Sequence, residues 1–162
     1  MERRIGMLFD CLRAPYDVAH IIQVASALGN CDLYLSGNSI DTNHRKIITK
    51  VRSWGIENIP EFQVLGEFEE AVYRLHDLGK YLIGTAVDAK KSLYKTNLIE
   101  RDSVLVFGTE TSGLPKRKQS LLDEIISIPM EEDCKFLTLP TIVPITAFEY
   151  YRQLLEEENG NS

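Results

Sequence analysis

Residues 107–115, with the sequence Phe-Gly-Thr-Glu-Thr-Ser-Gly-Leu-Pro, have the composition of a ligand-binding loop. Gly108 and Gly113 enclose a short polar segment, and glycine permits both positive φ angles and a close approach of the backbone to a ligand. Pro115 suits the first turn of a following helix. The segment lacks the Gly-Lys-Ser/Thr of a phosphate-binding loop and the middle glycine of a dinucleotide-binding fingerprint. The residues alone are therefore compatible with a ligand-binding loop or with an ordinary turn between a strand and a helix.

This loop follows an apolar strand within a regular alternation of strands and helices. Residues 104–107 are apolar without alternation, as expected of a strand that is buried on both faces of a sheet. Residues 15–28 carry apolar side chains at helical spacing and are followed by Gly29, which is typical of a helix end. The predicted strands are 4–11, 32–36, 61–65, 81–85, 104–107 and 124–128, and the predicted helices are 15–28, 42–54, 67–78, 89–98, 116–122 and a last one from Pro140 or Pro144 to Leu155. The alternation predicts an α/β fold with a mostly parallel sheet covered by helices.

The predicted sheet indicates where a ligand would bind. Parallel sheets bind ligands beyond the carboxyl ends of their strands, so the candidate site follows Thr85, Phe107 and Ile128 and includes the loop 135–138. Two details of the helices are also predicted. Asp41 or Thr42 caps the helix 42–54. The apolar residues that the last helix turns inward are Ile145, Phe148, Tyr151, Leu154 and Leu155.

Composition and charge set the broad class of the chain. Its 162 residues are 44% hydrophobic and 26% charged, which predicts one folded domain, here residues 1–157, with a frayed tail at 158–162. A net charge of −6 argues against an indiscriminate nucleic-acid scaffold but leaves room for a local basic patch. No segment is long and apolar enough for a membrane span or signal peptide. The three cysteines are far apart, so we expect no disulfide framework, no metal site and a reduced, cytoplasmic compartment.

Residues 105–130, LVFGTETSGLPKRKQSLLDEIISIPM, resemble the second signature of the SPOUT methyltransferases, in the SpoU or TrmH branch. The signature consists of an apolar strand, Phe-Gly-x-Glu-x-x-Gly-Leu, a short helix, a further strand and Ile-Pro-Met. Residues 17–29 are similar to the first signature of this branch, and residues 136–149 are similar to the third. The resemblance covers nearly all of the chain.

The resemblance implies a fold, a cofactor and a reaction. The C-terminal segment would thread through the loop after Phe107 and form a deep trefoil knot, which the general rules of chain connection would not suggest. The cofactor would be S-adenosylmethionine, the active form a homodimer with the last helix and helix 15–28 at its interface, and the reaction methyl transfer to a ribose 2′-hydroxyl of tRNA or rRNA. The residues implied for cofactor binding are Gly84, Thr85, Gly108, Thr109, Gly113, Ile128, Met130, Phe136 and Leu137.

The chain departs from the family at the residues that would handle the RNA. Gln23 stands where the first signature has an arginine credited with activating the ribose hydroxyl, and Asp17 and Ala19 replace its Asn and Gly. In the third signature, Phe136 replaces a serine and Thr138 an asparagine. A second hypothesis is therefore a catalytically reduced homologue that binds cofactor or a partner without methylating RNA. A third is methylation of a different acceptor.

The remaining candidates follow from the same comparison. Glu110 of the second signature is kept, either to orient a neighbouring backbone group or an arginine of the partner subunit, or as a structural hydrogen-bonding residue. Arg13 lies one helical turn before Asp17 and is the candidate substitute for the missing arginine, unless it is solvated or paired with Asp17. The catalytic candidates are Gln23, Glu110, Thr138 and Arg13, and the candidates for RNA contact are Arg13, Asp17, Lys116 and Arg117. For Lys116 and Arg117 the alternative is a solvated helix face; a second basic stretch spans residues 44–52.

Overall fold

The computed structural model describes residues 3–109 and 113–160. Within these residues, seven strands and five α-helices alternate. The strands are β1 (Ile5–Asp10), β2 (Cys31–Ser36), β3 (Phe62–Val64), β4 (Tyr81–Thr85), β5 (Lys91–Ser92), β6 (Ser103–Phe107) and β7 (Glu124–Ser127). The helices are α1 (Pro15–Leu28), α2 (Arg45–Ser53), α3 (Phe68–Asp77), α4 (Lys116–Gln119) and α5 (Leu139–Gly160), with a 3₁₀ turn at Leu93–Lys95.

The strands form a single sheet in the order β3-β2-β1-β6-β4-β7-β5. Every pair of neighbouring strands is parallel. This confirms the predicted α/β fold with a mostly parallel sheet, while the threading of a trefoil knot stays a prediction. No helix in residues 3–109 and 113–160 is long and apolar enough to cross a membrane.

Alternate residues of the central strands pack on opposite faces of the sheet. Phe9 of β1 and Phe107 of β6 stack at 5.4 Å on the face covered by α1, α2 and α5. Leu8 and Val106 point to the other face, against α3. All residues of β1 and β6 are buried, which confirms that 104–107 is a strand covered on both sides.

Helix α1 follows the predicted boundaries, from Pro15 to Leu28. Pro15 occupies its first turn, where a missing N–H costs nothing. Gly29 ends the helix with a φ of 88°, and its N–H donates to the carbonyl of Ala25. Because β1 leads directly into α1, the N-terminal turn of α1 lies at the carboxyl edge of the sheet.

Two predicted helices differ in the structure. Helix α2 begins at Arg45 and its cap is His44, whose Nδ1 accepts from the N–H of Lys46; the prediction of Asp41 or Thr42 as the cap was wrong. Asp41 instead accepts from the N–H of Asn43 in the preceding turn. The predicted helix 89–98 is the short strand β5 followed by the 3₁₀ turn, because β5 pairs with β7.

Helix α5 confirms three of the five residues predicted to face inward, since Ile145, Tyr151 and Leu154 are partly buried against the core, and differs at the other two. Val143, Ala147 and Tyr150 are fully buried, whereas Phe148 and Leu155 are 42% and 40% exposed. The helix carries apolar residues on several sides, so their spacing does not single out one face. It begins at Leu139, before both predicted starts, and continues to Gly160, past the predicted start of the frayed tail at residue 158.

A buried carboxylate explains part of this difference on α5. Glu149 is 7% exposed and accepts hydrogen bonds from Arg152 Nε at 2.6 Å and Gln153 Nε2 at 3.1 Å. The bond from Arg152 holds the pKa of Glu149 below its usual range. A charged residue is thus accommodated on the inner face by its own helix, which an apolar pattern does not reveal.

Candidate functional site

A cavity of about 460 Å³ lies at the carboxyl edge of the sheet, beyond β4, β6 and β7. Its size lies within the range of small-molecule sites, about 300–1,000 Å³. The lining residues are Thr85, Ala86, Val87, Asp88, Phe107, Gly108, Thr109, Gly113, Leu114, Pro115, Lys116, Gln119, Ile128, Met130, Lys135, Phe136, Leu137, Leu139 and Ile142. The cavity therefore lies where the sequence places the candidate site.

Gly108, Thr109 and Gly113, which follow β6, line the cavity. Thr109 and Gly113 form an isolated antiparallel bridge, and Gly113 has a φ of 69°. A Cβ on Gly108 would lie 2.2 Å from the carbonyl carbon of Gly113 and 2.4 Å from the nitrogen of Leu114. Only glycine fits at position 108, because the obstructing atoms are backbone. The catalytic candidate Glu110 lies outside the described residues.

Eight of the nine residues predicted to bind a cofactor line this cavity. They are Thr85, Gly108, Thr109, Gly113, Ile128, Met130, Phe136 and Leu137. Gly84 is the exception among the nine. It is buried behind the wall, where a Cβ would meet Leu122 at 2.5 Å and Leu114 at 3.2 Å, so it allows close packing instead of lining the cavity.

Two charged residues that the sequence prediction did not include among cofactor contacts line the cavity and pair with each other. Asp88 follows β4 and Lys116 begins α4, and Lys116 Nζ lies 2.8 Å from Asp88 Oδ2. Both side chains are largely exposed, and the hydrogen bond from Lys116 holds the pKa of Asp88 below its usual range. The sequence feature that could have identified Asp88 as a site residue is its position just beyond the end of a strand.

Helix α4 supports the end of the cavity loop. Gln119 Nε2 donates to the carbonyl oxygen of Leu114 at 2.8 Å, which ties the end of the loop to this short helix. Lys118 Nζ donates to Asp10 Oδ2 at 2.5 Å, and Ser36 Oγ donates to Asp10 Oδ1 at 2.9 Å. The side chain of Asp10 is 2% exposed, so this ion pair joins α4 to the buried end of β1.

The predicted catalytic side chains do not line this cavity of their own chain, as far as the described residues show. Gln23 and Arg13 are exposed on or before α1, and Asp17 is half-buried in its first turn. Thr138 immediately precedes α5; its carbonyl accepts from the N–H groups of Thr141 and Ile142, and its hydroxyl lies 3.2 Å from that of Thr141. Thr138 therefore supports the start of α5, next to the cavity residue Leu137.

The predicted RNA contacts on α4 already have acidic partners. Lys116 pairs with Asp88, and Arg117 Nη1 lies 3.3 Å from Glu69 Oε1. Both pairs are mostly exposed and are worth little energetically, so phosphates can compete for these cations. Within residues 3–109 and 113–160, no group of three His, Cys, Asp or Glu residues could hold a metal ion.

The sequence model of the family described as SpoU rRNA Methylase matches residues 5–143. The chain belongs to the SpoU rRNA Methylase family. This confirms the resemblance to the SpoU and TrmH branch of the SPOUT methyltransferases. One relative is the 23S rRNA (guanosine-2′-O-)-methyltransferase RlmB of Nitrosomonas europaea, which is 25% identical over 152 residues. That match covers 94% of this chain and 57% of RlmB, so the chain spans little more than half of the length of this relative.

Solved structures share the fold. The SpoU methyltransferase AviRb of Streptomyces viridochromogenes, in complex with AdoMet, superposes with a TM-score of 0.81 at 23% identity, over 96% of this chain and 59% of AviRb. A structure described as giving insight into the 2-OH methylation of C/U34 on tRNA superposes with a TM-score of 0.81 at 22% identity. That superposition covers 96% of this chain and 93% of the other, so the fold occurs elsewhere at nearly this length.

Proposed function

We propose that the chain is an S-adenosylmethionine-dependent RNA methyltransferase that acts on a ribose 2′-hydroxyl of tRNA or rRNA. The carrying observation is the cavity of about 460 Å³, because the second-signature loop and the strand ends predicted to bind the cofactor converge on it. Family membership supports the reaction, as do RlmB, named as a ribose methyltransferase, and AviRb, described in complex with AdoMet.

The lining residues fit S-adenosylmethionine. Gly108 brings the backbone to the cavity, where any side chain would collide with the backbone of Gly113 and Leu114. Leu114, Leu137 and Ile142 offer apolar walls for the adenosine part, while Asp88 and Lys116 offer opposite charges for the ammonium and carboxylate of the methionine part. When bound, the cofactor supplies an electrophilic methyl group on sulfur. The protein's contribution is to hold that group in line with an acceptor oxygen.

The residues that would activate the ribose acceptor depart from the family pattern. Gln23 is neutral and can only donate or accept hydrogen bonds, so it cannot serve as a base. Acid–base assistance contributes about 10²–10⁴ in rate, which is about 3–5 kcal/mol of barrier. Without this assistance, positioning of the methyl donor and the acceptor alone would still allow slow methyl transfer. The second candidate, a homologue that binds cofactor or a partner without methylating RNA, is favoured by Gln23 together with Thr138.

A homodimer built on α1 and α5 belongs to the same proposal. The two helices pack side by side on one face of the sheet. Phe148 and Leu155 of α5 are partly exposed, and Phe148 forms an edge-to-face pair with Tyr151 at 6.1 Å. These apolar side chains would be buried by a second copy. We also propose a cytoplasmic location, in line with three free cysteines.

Calorimetric titration with S-adenosylmethionine tests the cofactor site. We expect saturable binding at one site per chain, with a negative heat-capacity change from burial of the adenosine part. Absence of binding at millimolar cofactor would overturn the proposal. Binding of the cofactor without methyl transfer to any RNA would favour the second candidate.

Restoring the family arginine at position 23 is expected to accelerate the reaction. Gln23→Arg should raise methyl transfer to total RNA by about 10²-fold, the lower range for acid–base assistance. The matched control is Ala27→Arg, which adds the same charge one turn later on the exposed side of α1. Equal rates for both variants would show that position 23 takes no part in the reaction.

A further inference from the structure

A group of aromatic and basic side chains lies on the outer surface where α1 and α2 meet. Tyr16 and His20 of α1 form an edge-to-face pair at 4.5 Å, and His20 packs on Trp54 at 5.3 Å. Lys50 of α2 lies over two of these rings. Its Nζ is 6.0 Å from the ring centroid of Tyr16 and 5.3 Å from that of Trp54. We name Tyr16, His20, Lys50 and Trp54 the α1–α2 patch.

The patch continues into a cationic face. Residues 44–52 contain His44, Arg45, Lys46, Lys50 and Arg52 and no acidic residue, in a chain with a net charge of −6. Ile47 and Val51 are buried and anchor α2, and Arg45, Lys46, Lys50 and Arg52 are exposed. Across residues 3–109 and 113–160, no carboxylate pairs with these four cations, whereas all three cations of α4 are paired.

From this arrangement we infer that the α1–α2 patch and the cationic face of α2 bind single-stranded RNA, with one base stacked on Tyr16 and the flanking phosphates at Lys46 and Lys50. Tyr16 is 59% exposed, so its ring is available for stacking. Aromatic rings with adjacent cations are the usual means by which proteins bind single strands without reading their sequence. Lys46 and Lys50 are one helical turn apart and lie on the same side of α2.

The position of the patch relates it to the cavity. Tyr16 lies in the first turn of α1, which follows β1, and β1 is the neighbour of the strand that carries the cavity loop. A strand of RNA held at Tyr16 would thus be at the same edge of the sheet as the cavity. The inference rests on the proposed function for its partner, since RNA is the proposed substrate. It places RNA contacts on α2, where the sequence analysis chose no RNA-binding residue.

The single tryptophan of the chain gives a direct readout of this binding. Trp54 is the only tryptophan among 162 residues and belongs to the patch. Titration of the full chain with single-stranded oligouridine is expected to quench its fluorescence and to yield a Kd. The same titration by anisotropy of a labelled oligouridine detects RNA binding at any surface. Binding seen by anisotropy without a change at Trp54 would contradict the inference.

Substitutions can measure separately how base stacking and positive charge contribute to the binding of oligouridine. Tyr16→Ala should weaken oligouridine binding by about tenfold, whereas Tyr73→Ala, at a 72% exposed tyrosine on α3, should leave the Kd unchanged. Lys50→Gln should flatten the dependence of log Kd on log salt by about 0.7, the value for one phosphate contact on a single strand. Lys95→Gln, at an exposed lysine on the 3₁₀ turn, should not.

Two outcomes distinguish failure of the inference from failure of the proposed function. If the unmodified chain binds oligouridine and total tRNA but Tyr16→Ala and Lys50→Gln match their controls, the α1–α2 patch is not the RNA surface, and the proposed activity stands. If the unmodified chain binds neither RNA, both fail. A change in oligomeric state of Tyr16→Ala by light scattering, with RNA affinity retained, would assign the patch to a second copy of the chain and overturn the inference.

Discussion

Replacing Gly108 with alanine is expected to abolish measurable binding of S-adenosylmethionine. The new Cβ would lie 2.2–2.6 Å from backbone atoms of Gly113 and Leu114, and none of these atoms can rotate away. The loop must therefore move by a substantial part of an ångström, and a misplacement of about 1 Å can cost about 10²-fold in function. Calorimetric titration of the variant at millimolar cofactor measures the loss.

The control for Gly108→Ala is Gly55→Ala. Gly55 follows α2 with a φ of 83° and has no atom within 4 Å of its ideal Cβ. An alanine there strains the backbone by about 1–2 kcal/mol without touching the cavity. We expect lower stability and unchanged cofactor affinity. Equal losses of affinity in both variants would mean that general destabilisation, and not the loop, controls binding.

Replacing Lys118 with methionine is expected to lower the free energy of unfolding by about 3 kcal/mol, because it leaves a buried carboxylate without its cation. Among the residues that the structure describes, only Ser36 would still donate a side-chain hydrogen bond to Asp10, whose side chain is 2% exposed. Cofactor affinity should fall as well, since Lys118 fixes α4 and α4 holds the end of the cavity loop through Gln119. Urea denaturation followed by circular dichroism measures the first effect.

Lys116→Met is the matched control on the same helix. Lys116 also forms an ion pair, at 2.8 Å from Asp88, but both side chains are more than half exposed. Exposed pairs contribute about 0–1 kcal/mol, so stability should change little. A similar loss of stability in Lys116→Met and Lys118→Met would show that burial of Asp10 does not determine the strength of its ion pair.

Much of the fold was predictable because local signals and tertiary structure agree. In α1, Pro15 and Gly29 mark the ends and the apolar spacing marks the buried face, so the predicted bounds match. In β6, an unbroken apolar run can be satisfied only between two layers of helices. Where the local sequence signal and the tertiary structure disagree, the prediction is wrong. Residues 91 and 92 form a strand because β7 offers them partners, and nothing in their own sequence requires it.

The residues of the candidate site likewise fall into those that the sequence predicts and those that it does not. The glycines at 108 and 113 could be recognised because a close backbone approach leaves a mark on residue type. Ile142 could not, because any residue whose backbone happens to pass the cavity can line it. The ion pair of Asp10 and Lys118 joins positions 108 residues apart, and no local pattern connects them. The α1–α2 patch likewise depends on how two helices pack.

The most direct test of the proposed function is transfer of a tritiated methyl group from S-adenosylmethionine to total tRNA and rRNA, followed by digestion to nucleosides. We predict that the label is found in 2′-O-methylated nucleosides and that Gly108→Ala abolishes it. Label confined to methylated bases would contradict the ribose as the acceptor. No label at all, from protein that binds both the cofactor and RNA, would contradict the methyltransferase itself.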